Sequence, residues 1–393
     1  MSGPLSGIRI IELATMIAVP GATHLLATQG AEVIKVEDPV RGDELRHYGS
    51  QKGGMSAWFV NANSGKRSVA LDLQHEEGKR ALWKLLQHAD VVMQGFRPGV
   101  IERLGFDSET VRKRRPEIVY CSSSGFGPHG PYARLPVYDP VIQALSGWAG
   151  AQRYEEEPRL VRGMVADKVA ALTSAQAVTA ALLQRSSTGR GGHVELSMLE
   201  ANIAFNWADV MMHASLLDAD ATHRPNLLSS YRLFACRDGW VTVTAGTDAQ
   251  WRAFAEALER PELAEDDRFA TASARAGHVA DWYQAMGEAV AAFELEEVLG
   301  RLRIADVPVA PVLDPADVAA DPQVAAADLL REVEHPVAGK LRQPRPSAEI
   351  FGGSISLAPA PTHGQHTAEV LTEIGYEQST IGRLATEGVI KVP

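Results

Sequence analysis

Ile8-Arg-Ile-Ile-Glu-Leu13, a turn, the helix-compatible stretch Gly21 to Gln29 and then Val33-Ile-Lys-Val-Glu37 form one strand–helix–strand unit. Both short runs are rich in β-branched residues, as strands covered on both faces require. The alternation continues downstream. Ser68-Val-Ala-Leu-Asp-Leu73 reads as a strand, and His75 to Ala89 as a helix with Ala81, Leu82, Leu85 and Leu86 at helical spacing. Asp90-Val-Val-Met-Gln94 and Ile118-Val-Tyr-Cys-Ser122 follow as strands. This order predicts an α/β fold with a mostly parallel, doubly wound sheet. Ligands of such sheets bind beyond the carboxyl ends of the strands, so function is expected in the loops after Leu13, Glu37, Gln94 and Ser122.

Further on, Ser187-Thr-Gly-Arg-Gly-Gly192 is a turn, His193 to Met198 a strand, and Leu199 to Leu217 a long apolar helix. Composition shifts at Asp218 to Pro225. A separate smaller α+β domain follows, with a hairpin around Arg237-Asp-Gly239 and amphipathic helices near Asp248–Leu258 and His278–Leu302. The expected layout is a large domain of residues 1–200 plus 330–393, a small domain of 226–325, and linkers at 201–225 and 326–329. A length of 393 residues suits two domains. Hydrophobic residues at 45% and charged residues at 22% describe a globular chain. No run approaches the roughly 18 apolar residues of a membrane span. The start, Met-Ser-Gly-Pro-Leu-Ser-Gly, lacks the basic and apolar regions of a signal peptide. The two cysteines, Cys121 and Cys236, build no disulfide framework, so a cytoplasmic location is expected. The net charge of -11 argues against nucleic acid as a partner. Local cations such as Lys66 with Arg67, and Arg97 with Arg103, still permit a phosphorylated small molecule.

One acid stands out. In Val161-Arg-Gly-Met-Val-Ala-Asp-Lys-Val-Ala170, Asp167 opens a helix that then runs uncharged from Leu172 to Gln184. A helix N-terminus favours the ionised form of an acid, and a carboxylate in a partly dry place can attack an activated carbonyl. The plainer reading is a residue that only charges the helix start. Other motifs fail. Gly125-Phe-Gly-Pro-His-Gly130 fits a dinucleotide fingerprint, yet Pro128 and Pro131 leave no helix to meet a pyrophosphate. There is no G-x-S-x-G elbow and no P-loop, and His363 with His366 lacks a third metal ligand nearby.

The ordered set of segments resembles the class III CoA-transferase family (CaiB/BaiF type). That family includes formyl-CoA and carnitine CoA-transferases and the α-methylacyl-CoA racemases. The resemblance is carried by Gly30 to Glu37, Gly42-Asp43, Asn63 to Ser68 with Leu71-Asp72-Leu73, Phe96 to Gly105, Gly125 to Pro131, Tyr138-Asp139 with Gln143, and Asp167. Tyr231 to Gly239, Val307 to Val312 and Gly364 to Thr367 extend it over nearly the whole chain.

The resemblance implies a Rossmann-like large domain with the small domain inserted, in an interlocked homodimer. It implies an acyl-CoA and a small carboxylic acid as substrates, no metal, no cofactor, and no nucleic-acid or membrane partner. Asp167 would be the nucleophile, passing through an aspartyl anhydride and an aspartyl-CoA thioester, its pKa lowered by the helix N-terminus. CoA contacts would come from Ala18, Leu71, Asp72, Leu73, Gln74, Phe96, Arg97, Arg103, Val137, Tyr138 and Asp139. Phe96 is equally readable as core, and Leu71 and Leu73 read more readily as core than as contacts.

The chain departs from the family pattern in several places. Ile17-Ala-Val-Pro20 stands where many members have Gln-x-Gly-Pro, and Gln94-Gly-Phe96 where Glu-Asn-Phe is common. Asp38 replaces an arginine, with Arg41 as a substitute. A glycine-rich lid is absent, which argues against oxalate as acceptor. Tyr138 occupies the position of the racemases' histidine. A phenol, with an ordinary pKa of about 10, is a poor base at neutral pH. Transfer is therefore expected over racemisation, with a non-catalytic acyl-CoA binding protein as the third reading.

Overall fold

The computed structural model describes residues 3–153, 156–222, 228, 231–348 and 357–393. Contacts divide the chain into two compact units, Met1–Thr222 with Leu329–Pro393, and His223–Asp328.

The first unit is built on a seven-stranded sheet. Its order is Ile390–Lys391, Lys66–Leu71, Glu32–Glu37, Arg9–Leu13, Val91–Gln94, Val119–Ser124, His193–Ser197. All neighbours run parallel except Ile390–Lys391, which pairs antiparallel with Lys66–Leu71. The predicted strands lie within two residues of these. Successive residues serve opposite faces, as a pleated strand dictates. Ile10, Val33, Val91 and Val119 pack under helices Ala18–Ala27 and Val165–Thr188. Ile11, Ile34, Val92 and Tyr120 pack under Glu76–Leu86, Thr367–Glu373 and Gln378–Thr386. Both faces are covered, so an alternating hydrophobic pattern is absent and the strands read as continuous apolar runs. Cys121 is a buried member of this core.

Strand order reverses between Arg9–Leu13 and Val91–Gln94. The loops after Leu13 and Gln94 therefore part company and leave a crevice. The helix Ala18–Ala27 packs so closely on Val165–Thr188 that a Cβ on Gly21 would lie 3.2 Å from the Ala171 Cβ. That approach brings the start of the Asp167 helix to the crevice.

The second apolar helix is shorter than expected. It spans Met198–Trp207, and Ala201, Asn202 and Asn206 are buried. The stretch expected as a linker from residue 201 thus begins as packed helix; its last residues, from 223, lie outside the described residues. The other unit has a three-stranded sheet, Val309–Pro311, Trp240–Val243 and Phe234–Ala235, all antiparallel. Trp251, Phe254 and Phe269 centre its core. The helix expected over His278–Leu302 is two helices, Val279–Ala291 and Leu295–Ile304. Among the described residues no helix is long and apolar enough to cross a membrane.

Candidate active site

Asp167 lies in the first turn of Val165–Thr188 and is 8% exposed. The segment before it is stapled by Gln143. The Gln143 amide donates to Asp139 Oδ1 (2.5 Å) and to the carbonyls of Val161 (3.2 Å) and Gly163 (3.0 Å). Its oxygen accepts the Val161 N–H at 2.9 Å. Asp139 Oδ2 accepts the Asp167 backbone N–H at 2.9 Å. On the other side, Asn202 donates to the Ala166 carbonyl (3.0 Å) and is itself held by the Trp148 indole (2.9 Å). The helix start is rigid, while no side chain among the described residues bonds the Asp167 carboxylate.

That carboxyl is not held ionised as the helix N-terminus alone predicts. Burial, with the Asp139 charge adding to it, pushes its pKa up to about 7. Desolvation outweighs the fractional charge of the helix end. Asp139→Asn removes one of these causes and keeps one acceptor oxygen. We expect the acid limb of the pH–rate profile to move to lower pH, together with a loss of rate from the weakened staple. An unmoved limb, measured from pH 5 to 9, would show that the Asp139 charge does not reach Asp167.

Three cavities meet here. The largest, about 720 Å³, is bordered by Asp167, Tyr138, Asp139, Met16, Ile17, His24, Trp58, Asn61, Arg162 and Lys168, among others. A second, about 190 Å³, shares Asp167, Tyr138, Asp139 and Met16 with it and adds Ala18, Phe96, Arg97 and Val137. The third, about 320 Å³, shares Thr15, Glu44 and Phe96 with the second and reaches Leu71, Asp72, Leu73 and Gln74 at the sheet edge. Three adjoining cavities with shared walls are thus bordered by Asp167 and by every expected CoA-contacting residue but Arg103. Arg103 is exposed on the short helix Val100–Leu104 and borders none of the three. Leu71 is 1% exposed and packs in the core besides edging the third cavity. Tyr138 is 57% exposed.

Two of the departures noted in the sequence have a local setting. Gly95 sits where a Cβ would lie 3.2 Å from the Ala14 Cβ, and the Gln94 side chain accepts the Phe96 N–H at 2.8 Å. Asp38 and Arg41 both border the third cavity, but Arg41 pairs with Asp38 at 3.3 Å. After Val119–Ser124 no helix begins until Asp139, so the glycine string lacks the helix a dinucleotide needs. Gly125 instead makes room for Val137, whose Cγ1 a Cβ there would meet at 2.1 Å.

Sequence reasoning missed what holds the first loop. Glu12, Lys35, Asp43 and Lys66 form a fully buried ionic cluster: Lys35 contacts Glu12 at 2.6 Å and Asp43 at 2.7 Å, and Lys66 contacts Glu12 at 2.8 Å. Lys35 also donates to the Ala14 carbonyl, and Asp43 accepts the Met16 N–H. Met16 adopts φ 68°, a left-handed conformation that a non-glycine residue keeps only under such restraint. Burial opposes charge on Glu12, but Lys35 and Lys66 hold its carboxyl below the ordinary range. The signal was a Glu and a Lys flanked by apolar residues within predicted strands, since such charges need buried partners.

The sequence pattern of CoA-transferase family III matches residues 5–367. The chain belongs to this family of enzymes. Its relatives include the acetyl-CoA:oxalate CoA-transferase of Acetobacter aceti, 34% identical over 84% of this chain and 85% of that one. The succinate–glutarate CoA-transferase of Agrobacterium fabrum is 33% identical over 98% of both chains. Among solved structures, a CaiB/BaiF family protein from Brucella suis superposes with a TM-score of 0.83 at 30% identity, covering 95% of this chain and 100% of its own. Rv3272 from Mycobacterium tuberculosis gives 0.81 at 29%, covering 93% and 98%. The mixed α/β fold with its mainly parallel sheet is the one these proteins share.

Proposed function

We propose that this enzyme moves CoA from an acyl-CoA to a carboxylic acid through covalent intermediates on Asp167. The observation that carries the reading is one acid, its oxygens without hydrogen bonds among the described residues, on the shared wall of two adjoining cavities. An Asp167 oxygen attacks the thioester carbonyl, the C–S bond breaks, and CoA leaves as thiolate with the electron pair. The product is a mixed anhydride. The thiolate then attacks the aspartyl carbonyl, giving aspartyl-CoA and freeing the first acid. The acceptor carboxylate attacks that thioester and again expels the thiolate. Return of the thiolate to the acceptor's carbonyl forms the new acyl-CoA and regenerates Asp167.

Each step exchanges one activated carbonyl for another, so the thioester's free energy is retained as long as water is kept out. The buried position of Asp167 suits that need, and a pKa near 7 leaves enough carboxylate at neutral pH. The adjoining cavities bordered by Phe96, Arg97 and Leu71–Gln74 suit pantetheine and nucleotide, with Arg97 as a phosphate partner. The large cavity suits the acyl group and the acceptor, and Arg162 and Lys168 on its wall favour an incoming carboxylate. Its size and mainly apolar wall favour an acid larger than oxalate.

Family resemblance supports an interlocked homodimer with the small unit inserted in the large one. Exposed Leu172 and Leu183 on the Asp167 helix, with Phe205 and Trp207, are the apolar surface such a dimer would cover. Mass spectrometry of the protein after incubation with a panel of acyl-CoA esters tests the mechanism. An acyl or CoA adduct on the Asp167 peptide is expected; adducts confined to other residues would overturn the reading.

A further inference from the structure

Two neighbouring helices supply one part of the wall of the large cavity. Gly21 and His24 stand one turn apart on Ala18–Ala27, and Trp58 and Asn61 one turn apart on Ala57–Asn63; all four border the cavity. His24 Nδ1 lies 3.1 Å from the carbonyl of Ser64, which follows directly on the second of these helices. That contact ties the ring to the helix end carrying Asn61. A carbonyl oxygen only accepts, so Nδ1 carries the ring proton. In a neutral ring Nε2 is then left with a bare lone pair.

The surroundings favour the neutral ring. Burial, reinforced by the nearby Lys66 ammonium, pushes its pKa down to about 4. Lys66 cannot turn toward it as a donor, because its three contacts go to Glu12, Asn63 and the Pro20 carbonyl. Among the described residues the Nε2 acceptor has no partner, and His24 borders a cavity whose surroundings are mostly apolar. A second carboxylate there would set acceptor against acceptor. A hydroxyl on a bound acid would donate to Nε2, and Asn61 borders the same cavity.

We propose that His24 is a specificity-determining residue that selects acids bearing a hydroxyl on an otherwise apolar body. This rests on the reading of Asp167 as the point of acyl attachment. His24 acts on which acid binds and takes no part in bond making.

The test uses isotopic self-exchange, in which a labelled acid enters its own CoA ester on the full-length protein, so no second substrate need be known. Butanoate, pentanoate and hexanoate are each compared with their hydroxylated derivatives, and the Asp167 peptide is checked for adducts in the same samples. In at least one pair the hydroxy acid is expected to be favoured by about ten-fold in kcat/KM, the gain from one hydrogen bond to a neutral acceptor. His24→Leu should bring that ratio close to one. His24→Gln, which keeps an acceptor oxygen, should restore part of it and serves also if the leucine variant fails to fold. Ratios near one for every pair in the wild type, or a ratio unchanged in His24→Leu, overturn the inference while leaving Asp167 adducts in place. Absence of adducts with every acid overturns the underlying reading instead.

Discussion

Asp167→Ala is expected to lower CoA exchange by at least about 10⁴-fold, the scale on which removal of a covalent nucleophile acts. No neighbouring group can replace it. Asp139 is the nearest acid, but both its oxygens are engaged, by the Gln143 amide and by the Asp167 N–H. The loss should not come from unfolding. The folded-state pKa of Asp167 is raised to about 7. Its contribution to stability is therefore fully present below the unfolded pKa and lost as pH rises through about 7. At pH 8 the folded protein already bears the cost of an ionised, desolvated acid, so the alanine variant should melt no lower than wild type. Exchange rates followed by chromatography of CoA esters, beside thermal melts at pH 8, separate the two causes. A folded variant retaining exchange within ten-fold of wild type would leave the covalent route untenable.

The second large effect concerns stability. Glu12→Gln keeps the shape of the side chain but removes the one carboxylate shared by Lys35 and Lys66, both fully buried. Two buried ammonium groups would then be left with Asp43 as the remaining carboxylate in contact with Lys35. Breaking a buried pair in this way costs about 3–5 kcal/mol. For a domain of this size the melting temperature should fall by roughly 10 °C. Lys66 is the partner most ready to respond, since burial already pushes its pKa down to about 8. A Glu12→Gln, Lys66→Met double variant should recover part of the loss, because the unpaired charge goes with the lysine. Denaturation curves that coincide for wild type and Glu12→Gln would mean that Asp43 alone suffices. Because Lys35 and Asp43 also hold the Ala14 carbonyl and the Met16 N–H, weakened exchange should accompany the loss of stability.

The alternation of short β-branched runs with helical stretches was legible because each element's pattern is local. Ile10 and Ile11 adjoin in sequence and serve opposite faces of the sheet, so the strand reads as one apolar run. Boundaries were less legible. The helix from Met198 stops at Trp207 although the apolar pattern continues toward Leu217. Arg103 looked equivalent to Arg97 as a phosphate partner, but only the latter borders a cavity shared with Asp167.

From the chain itself come the α/β class, the strands whose ends carry the site, and an acid opening the long helix near Val165, because spacing and residue type act over a few neighbours. Folding decided the rest. Asp139 lies far from Asp167 along the chain yet receives its N–H; His24 gains its bare lone pair only by meeting Ser64; and Glu12 becomes tolerable only where Lys35 and Lys66 converge. Desolvation and Coulomb energy depend on distances in space, which no local pattern of residues records.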